Sequence, residues 1–307
     1  MFALVVRRLA AGLVVLALVH LATFAALRAL PGEAWADLAG DRALPPAAAA
    51  RLAELYGAGR PWWQQYVADL GSRLRGELGV SLKLARGADV GHLLAQAAPV
   101  SLGIGCGALA LGTGLGLAAG AVAARRRGGW ADHLVGGLAT LGVSVPEFVL
   151  ATGLLLVFSL VLGWLPAGGP SPLGLILPII TLAIPLAASL ARLVRASLAE
   201  ELSADFVRTA RAKGQGEVSV IVDHALRPAL GPVLAWLAPA AANVLTGSMV
   251  VEALFALPGL GSCFVAGALA QDWPVVTGAA LLYAGLLVLF NLAADLALAW
   301  LDPRTRA

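Results

Sequence analysis

Apolar residues run through most of this chain in blocks that are long enough to cross a lipid bilayer. A helical span needs about 20 apolar residues to cross about 30 Å of hydrocarbon. Of the 307 residues, 60% are hydrophobic and only 13% are charged, whereas a soluble domain carries about 25% charged residues. The pattern predicts an all-α integral membrane protein with six transmembrane helices, at about Leu9–Leu27, Val100–Ala124, Leu134–Leu162, Gly174–Leu193, Leu230–Val251 and Val275–Trp300.

The first apolar block allows two interpretations. Arg7 and Arg8 precede it, and Ala34-Trp35-Ala36 could serve as a cleavage site, as in a secretory signal peptide. Its apolar core is about 19 residues long, however, against about 7 to 15 residues in a typical signal peptide. We therefore favour a retained membrane anchor.

The basic residues predict the orientation, because cytoplasmic loops are enriched in arginine and lysine. With the N-terminus inside, both termini are cytoplasmic, and the short external loops at Trp164–Leu173 and Glu252–Pro274 carry no basic residue. The predicted organisation is an N-terminal transmembrane helix at 1–30, an extracytoplasmic segment at 31–99 and a five-helix core at 100–307. The cytoplasmic face then holds 13 of the 21 basic residues: Arg7, Arg8, Arg125, Arg126, Arg127, Arg192, Arg195, Arg208, Arg211, Lys213, Arg227, Arg304 and Arg306.

On the external side, the sequence predicts one long segment outside the membrane, Pro31–Pro99. Proline at its start and Gly57 near its end favour a helix from Pro46 to about Tyr56. The run PWWQQY at Pro61–Tyr66 is rich in aromatic side chains, which anchor chains at membrane boundaries. These aromatic side chains could instead contact an external partner, and we favour the lipid boundary.

Glycines recur in the second and third apolar blocks, as in the sequence GIGCGALALGTGLGLAAG. Small residues at a spacing of four let two membrane helices approach closely. We therefore interpret these glycines as packing residues.

One charged stretch, DFVRTARAKGQGEVSVIVDHAL at Asp205–Leu226, interrupts the apolar pattern on the predicted cytoplasmic side. Asp205 and Arg208 are three residues apart and share a helix face. Gly214 is a helix stop signal, and a second short helix is predicted at about Glu217–Leu226. About 35 residues separate the spans here, whereas connections in helix bundles usually take about 2 to 8. A loop of this length with its own helices favours docking to a partner over a solvated connection.

This stretch and the residues before it resemble the cytoplasmic EAA signature of binding-protein-dependent ABC transporter permeases. In detail they are similar to the dipeptide, oligopeptide and nickel branch, whose signature reads approximately R-x-S-x-x-E-x-L-x-x-D-[YF]-[VI]-R-T-A-R-A-K-G…H-A-L-[RK]-N-A. The likeness is specific, because residue type and spacing agree over about 30 positions. The matching residues are Arg195, Ser197, Glu200 or Glu201, Leu202, Asp205, Phe206, Val207, Arg208, Thr209, Ala210, Arg211, Ala212, Lys213, Gly214, His224, Ala225, Leu226 and Arg227.

Further segments follow the order of the same family and together resemble its first, B-type permease subunit. They read GELGVS, VPEF, GWLPAGG, VVEALFALPGLG, QDWPVV and LDPRTR along the chain. The sequence departs from the family pattern at four places: Glu77 stands where Asp is usual, Pro228 replaces Asn, Gln215-Gly216 after the AKG is atypical, and the segment RPWWQQY is loosely matched. These departures concern the details of loop contacts.

The resemblance implies a type I ABC importer-like permease of the bacterial cytoplasmic (inner) membrane, with an EAA-type loop at about 195–228. It implies three kinds of partner: a homologous second permease subunit, two ABC ATPase subunits that bind ATP and Mg, and an extracytoplasmic solute-binding protein. The cargo would be a dipeptide or oligopeptide, with nickel chelates and opine-like compounds as alternatives. A coupling helix would dock on the ATPase through Asp205, Phe206, Arg208, Thr209, Ala210, Arg211, Lys213 and Gly214.

Such a coupling helix would transmit closure of the ATPase subunits to the spans as a rigid-body movement. Two substitutions, Gly214→Pro and Ala210→Glu, should then abolish transport while leaving the protein inserted. Transport at the normal rate with unaltered ATPase assembly would contradict the assignment.

Four polar residues, Glu147, Glu252, Asn291 and Asp295, are candidates for the translocation path or its gate. An ionisable group at the centre of a bilayer costs about 2.5–3.5 kcal/mol, so Glu147, Asp295 and His20 need a reason for their positions. Glu147 could line the path or face a cytoplasmic vestibule. Asn291 and Asp295 share a helix face and favour pairing with a neighbouring span over solute contact. Glu252 lies near the external boundary, in a loop that by family likeness re-enters the membrane or caps the path. His20 is expected to be a paired interhelical histidine.

No catalytic constellation is present in the sequence. It contains no HExxH, no GxSxG and no phosphate-binding P-loop, because neither Lys83 nor Lys213 has the required neighbours. Two cysteines, Cys106 and Cys263, are too few and too isolated for a disulfide framework or a metal site. We therefore expect a transport subunit that is not an enzyme and that binds no cofactor or metal itself.

A proton-coupled secondary transporter is the alternative class of function. It would use Glu147 or Asp295 as a proton relay. It would need no ATPase, and the charged cytoplasmic hairpin would then have no role. An intramembrane hydrolase is weaker still, because no nucleophile–base pair is evident. The sequence therefore favours the ABC permease.

Overall fold

A computed structural model describes residues 2–29, 60–169 and 171–301 of the chain. Regular structure within these ranges is helical, apart from an isolated β-bridge between Val80 and Asp89. The predicted helix at 46–56 and the closing residues Arg304 and Arg306 lie outside them. The helices are α1 Phe2–Ala29, α2 Trp62–Leu74, α3 Val90–Arg125, α4 Trp130–Ser144, α5 Glu147–Leu154, α6 Ile176–Glu201, α7 Asp205–Ala212, α8 Glu217–Ser219, α9 Leu226–Leu245, α10 Met249–Leu254, α11 Leu260–Ala270 and α12 Trp273–Leu301.

Three shorter helical segments connect these elements. A π-helical segment, Leu155–Val161, continues α5, and a second one, Val220–Ala225, joins α8 to α9. A 3₁₀ turn at Pro172–Leu175 leads into α6. Because of these connections, α8 and α9 form one nearly continuous rod that enters the membrane from the charged hairpin.

Five stretches of the described chain are long and apolar enough to cross a membrane. They are Val5–Ala26, Val90–Arg125, Pro172–Glu201, Val220–Leu254 and Trp273–Ala299. Each of them contains, wholly or largely, one of the predicted spans, so these five spans are confirmed. The all-α membrane architecture is confirmed with them.

The remaining predicted span, at 134–162, differs from a single straight helix. It contains α4 and then α5 with its π-helical continuation, and the two parts meet at an angle of 103°. Pro146 lacks an N–H donor and disfavours helical backbone at the residue before it. Val145 accordingly adopts an extended conformation, with ψ of 123°. The sixth span is therefore present only if this bent pair counts as one.

Two helices begin or end beyond their predicted limits. α3 begins at Val90, ten residues before the predicted start, because the Asp89 carboxylate caps it by accepting a hydrogen bond from the His92 N–H at 2.8 Å. α6 continues past the predicted end of its span to Glu201. One continuous helix therefore connects this membrane span directly to the charged hairpin.

Glycines allow α3 and α6 to pack with their backbones close together. A Cβ on Gly112, Gly116 or Gly120 would stand 2.8, 2.7 or 2.6 Å from a side-chain atom of the facing helix. The facing residues are Leu186, Leu190 and Val194, which are spaced four apart like the glycines. The spacing thus places one glycine of α3 in each successive turn of the interface.

The bundle has two ends with different chemistry. The hairpin end comprises the end of α3, the end of α6, and α7 with α8. The loop end comprises α2, residues 76–89, α11 and the start of α12. α1 runs antiparallel to α12, with Gly12 against Val288 and with Arg8 Nε 2.8 Å from Asp295 Oδ2. The two ends are joined by an apolar core between α3, α6 and α10.

Candidate coupling site

α7 forms an isolated two-turn helix across the hairpin end. It begins at Asp205 and has Arg211 in its last turn. Both charges interact favourably with the helix dipole and so stabilise the helix. The helix ends at Ala212, and Gly214 follows with a φ of +79°, which favours glycine. The predicted stop signal at Gly214 is therefore confirmed. Arg208 Nη1 lies 3.4 Å from Asp205 Oδ1 on the exposed side.

The inner face of α7 rests on the ends of the membrane helices. Val207 is fully buried and Ala210 is 5% exposed. They pack in one apolar cluster with Ala124 of α3, Leu198 and Ala199 of α6, Val220 and Ala225 of the π-helical segment, and Ala229 of α9. Burying a valine side chain contributes about 1.5–3 kcal/mol. A force on α7 therefore acts on three membrane helices at once.

The outer face of α7 is open and carries an unusual mixture of groups. Phe206 keeps 45% of its surface exposed among charged and polar neighbours. The other exposed members of the predicted docking set are Asp205, Arg208, Thr209, Arg211, Lys213 and Gly214. Ala210 belonged to the same predicted set, but it faces the interior of the chain because it lies on the same side of the helix as Val207.

The turn after α7 is closed by an ion pair. Arg211 donates to both carboxylate oxygens of Glu217, at 2.8 and 3.3 Å. This interaction lowers the pKa of Glu217 and raises the pKa of Arg211. The Gln215 N–H donates to Ala210 O at 3.4 Å, and Gly216 has ordinary extended backbone angles. Gln215-Gly216 thus completes a short turn in which only Gly214 needs a left-handed conformation.

Residues of the EAA-like segment before α7 hold the bundle together. Arg195 of α6 makes a two-pronged ion pair with Asp132 of α4, with Nη2 2.8 Å from Oδ2. The Gly128 N–H donates to the same carboxylate at 2.9 Å. Ser197 donates to Ala229 O of α9 at 2.8 Å. These side chains fix α6 relative to α4 and α9 beside the apolar cluster beneath α7.

The four candidate path residues lie in two separate regions. Glu147, at the start of α5, is exposed and accepts a long hydrogen bond of 3.4 Å from the Ser248 hydroxyl. Asn291 donates to Leu287 O of its own helix at 2.8 Å. Asp295 pairs with Arg8 of α1 nearer the hairpin end. The expected pairing with a neighbouring helix is therefore found for Asp295 but not for Asn291.

Glu252 is buried inside the chain, with 1% of its surface exposed. One carboxylate oxygen, Oε2, accepts hydrogen bonds from the N–H groups of Gly261 and Ser262, at 2.8 and 3.3 Å. The glycine backbones crowd it: a Cβ on Gly259 would stand 2.2 Å from Oε2, and one on Gly247 would stand 2.6 Å from Oε1. Glu252 thus braces the turn between α10 and α11, and a solute would reach it only if that turn moved.

Sequence reasoning missed the carboxylate that organises the loop end. Asp272 is fully buried and accepts hydrogen bonds from the Ser81 hydroxyl at 2.6 Å and from three backbone N–H groups at 2.9 to 3.1 Å. These groups belong to Leu82, Lys83 and Leu84. The local signal is an aspartate just before Trp273-Pro274 at the start of a span. This pattern indicates the end of a membrane span but does not identify the groups that bind the carboxylate.

His20 pairs across helices as expected, and its partner lies outside the spans. Its Nε2 lies 2.8 Å from Asp69 Oδ2 of α2, and Asp69 Oδ1 accepts from Arg73 at 3.0 Å. The Tyr66 ring packs 5.0 Å from the imidazole. The pair therefore fastens α2 to the side of α1.

Comparisons with known proteins agree with this architecture. Residues 116–307 match the family described as "Binding-protein-dependent transport system inner membrane component". The chain is 38% identical over 309 residues to the oligopeptide transport system permease protein OppB of Haemophilus influenzae, covering 100% of both chains. It is 37% identical over 303 residues to the dipeptide transport system permease protein DppB of Lactococcus lactis subsp. cremoris, covering 98% of both. A solved structure of the MetNI methionine ABC transporter in an inward-facing conformation aligns with a TM-score of 0.59 at 20% identity, over 68% of this chain and 96% of that one.

Proposed function

This chain belongs to the family of inner membrane components of binding-protein-dependent transport systems and is a permease of the ABC importer class, and on this premise we propose that its cargo is a dipeptide or oligopeptide. The observation that carries the proposal is similarity over the full length to permeases named for oligopeptide and dipeptide transport. Nickel chelates and opine-like compounds are the competing cargoes.

The cargo is tested through the solute-binding protein that would deliver it. We expect this partner, purified from cells without added ligand, to carry short peptides that mass spectrometry identifies. Reconstituted with the permease, it should support peptide uptake into proteoliposomes that requires ATP. A partner that carries only a metal chelate, with no peptide uptake, would contradict the peptide proposal but leave the permease class intact.

The proposed contact with the ATPase subunits is the outer face of α7. An exposed Phe206 on a helix whose opposite side is firmly packed suits a helix-in-groove contact, with the aromatic ring as the anchor. Asp205, Arg208, Thr209, Arg211 and Lys213 would surround the ring. ATP and Mg would be bound by the ATPase subunits, since the chain has no P-loop.

Neighbouring residues of α7 provide a matched test of this contact. Phe206→Ala removes an exposed side chain and should uncouple ATP hydrolysis from uptake without lowering the melting temperature of the permease. Val207→Ala removes buried methyl groups and should lower the melting temperature, at a cost of about 1–2 kcal/mol. Equal effects of both variants on stability, or full transport by Phe206→Ala, would contradict the assignment of the two faces.

The proposed orientation places the hairpin end in the cytoplasm and both termini inside. Support comes from the basic residues, because Arg8, Arg125, Arg195 and Arg211 all lie at that end. In a Cys106→Ala and Cys263→Ala background, a membrane-impermeant thiol reagent should label a Thr209→Cys variant only after the cells are opened. A homologous second permease and an extracytoplasmic binding protein complete the proposed assembly in the inner membrane.

A proton-coupled mechanism is not supported. Asp295, one of its two candidate relay groups, is held by the Arg8 guanidinium in a 2.8 Å ion pair, and the matched family is one of ABC permeases. Uptake should therefore persist when the proton gradient is collapsed and should stop when ATP is removed. The opposite pair of results would restore the alternative.

A further inference from the structure

α2 carries an apolar surface that nothing in the described chain covers. Trp63, Val67 and Leu74 are 53%, 61% and 80% exposed, and Leu70 is half-buried. The four positions are spaced by four, three and four residues, so they form one stripe along the helix. We define Trp63, Val67, Leu70 and Leu74 as the α2 stripe.

The other faces of α2 have different surroundings. Trp62, Tyr66, Asp69 and Arg73 lie on the face turned toward α1, where Tyr66 and Asp69 contact His20. The third face carries Gln64, Ala68 and Ser72. α2 is therefore amphipathic, and its apolar and polar faces both flank the face that is fastened to α1.

Two contacts give the depth of α2 relative to the membrane spans. His20 lies six residues before the end of the span Val5–Ala26, which places its contact with Asp69 about 9 Å inside that end. Further along α2, Arg73 Nη1 and Pro274 lie 3.9 and 3.6 Å from where a Cβ of Gly79 would stand. Pro274 is in the first turn of the span Trp273–Ala299.

Because α1 and α12 are antiparallel, the height of Pro274 can be compared with the end of the α1 span. Gly12 contacts Val288, and counting fourteen residues along each helix from that contact places Pro274 level with Ala26. The middle and the last turn of α2, at Asp69 and Arg73, are thus anchored just inside and at one membrane boundary. Because its middle and last turn are held at these heights, the helix Trp62–Leu74 stays at the boundary.

The apolar surface of α2 adjoins a candidate membrane span that the described chain leaves largely open. Only 11% of the α1 span is buried within the chain. A groove of about 370 Å³ between the two helices is lined by Leu21, Phe24, Ala25, Ala29 and Trp62. Tryptophan side chains are enriched at this level of the membrane. We propose that α2 is an interfacial helix whose stripe inserts into the lipid of the adjoining leaflet.

The occupant proposed for the stripe is lipid and not a protein partner, since the same boundary position suits an amphipathic helix that buries its apolar face about 5–10 Å below the headgroups. The ring of His20 is 1% exposed, and its bond to Asp69 fixes α2 at this depth. The leaflet is the external one in the proposed orientation. The insertion itself does not depend on the cargo or on that orientation.

The test uses single cysteines on two faces of the same helix. In a Cys106→Ala and Cys263→Ala background, Trp63→Cys, Val67→Cys and Leu74→Cys report on the stripe, and Gln64→Cys, Ala68→Cys and Ser72→Cys are matched controls on the polar face. Each variant is labelled with an environment-sensitive fluorophore. The assembled transporter is then reconstituted in vesicles of phosphatidylethanolamine and phosphatidylglycerol, and its uptake activity is measured separately.

We expect doxyl-labelled lipid to quench the stripe labels at least about twofold more strongly than the polar-face labels, and iodide to show the reverse order. Equal quenching of the stripe by iodide would place it in water and overturn the proposal. Stripe labels that neither quencher reaches in the full transporter would show a protein partner instead and would also overturn it. Iodide added to one side of the vesicles tests the orientation independently.

Discussion

The carboxylate of Asp272 accepts four hydrogen bonds from groups that precede it by 188 to 191 positions in the chain. Burial raises the pKa of this carboxyl, but the Ser81 hydroxyl and the backbone N–H groups outweigh that effect. The pKa in the folded protein therefore lies below the usual value of 3.8. The charged form is thus the one that the fold stabilises, and it fastens the segment after Leu78 to the start of α12.

Replacing Asp272 should loosen the loop end while leaving the hairpin end intact. Asp272→Ala leaves buried N–H groups without an acceptor, at a cost of about 1–3 kcal/mol. We expect faster amide hydrogen exchange at residues 82–84 and unchanged exchange in α7. Asp272→Asn keeps one acceptor oxygen and should have a smaller effect. Slow exchange at 82–84 in both variants would show that other contacts hold the loop.

The four hydrogen bonds to the ionised Asp272 carboxylate predict how the loop end responds to acid. Because the folded pKa is below the unfolded one, the stabilisation is complete above the unfolded pKa and is lost as the pH falls through the folded pKa. The protection factors at 82–84, which correct for the pH dependence of intrinsic exchange, should therefore stay high from neutral pH down to about 4 and fall below that value. The Asp272→Asn variant should show no such fall, since it does not titrate.

Gly214 and Gly216 in the hairpin make a matched pair. Gly214 has a φ of +79°, whereas Gly216 has φ −66° and ψ 148°, and neither has atoms within 4 Å of a new Cβ. Gly214→Ala should cost about 1–2 kcal/mol and reduce transport. Gly216→Ala should stay within about 0.5 kcal/mol. Thermal unfolding and uptake measure both effects, and equal losses would contradict the requirement for a left-handed conformation at Gly214 alone.

Among the helices, α3 and α6 form the tightest pair because of the glycines at 112, 116 and 120. Gly116→Ala would bring a Cβ to 2.7 Å from Leu190 Cβ and 3.0 Å from Ala187 O. Such overpacking costs about 1–3 kcal/mol. The purified permease should therefore melt at a lower temperature.

Gly114 on the same helix supplies the control, since a Cβ there meets no atom within 4 Å. Gly114→Ala should leave the melting temperature unchanged or raise it slightly, because alanine is the better helix former. If Gly116→Ala melted no lower than Gly114→Ala, the two helices would not be in the close contact described.

For the molecule as a whole, the sequence predicts the apolar spans and the charged hairpin because both depend on local composition. The stop at Gly214 is local too, and so is the cap at Asp89, which marks the start of α3. The break at Pro146 had a local signal, yet its angle of 103° depends on how α4 and α5 pack. Asp272 could not be assigned, because its partners are distant in the chain.

The face of a short helix is likewise decided by tertiary contacts. Phe206 and Val207 are adjacent and both apolar, yet one is exposed and the other is buried. Periodicity over eight residues cannot distinguish them, whereas the apolar cluster formed by α3, α6 and α9 does. The same cluster removes Ala210 from the predicted docking set.

The central claim is that the outer face of α7 meets an ATPase subunit. A photoreactive phenylalanine analogue at position 206, in the assembled transporter, tests it directly, with the same analogue at Trp63 of α2 as the control. We predict that position 206 crosslinks to the ATPase subunit and that position 63 does not. No crosslink to the ATPase from position 206, in a transporter that still hydrolyses ATP, would contradict the account.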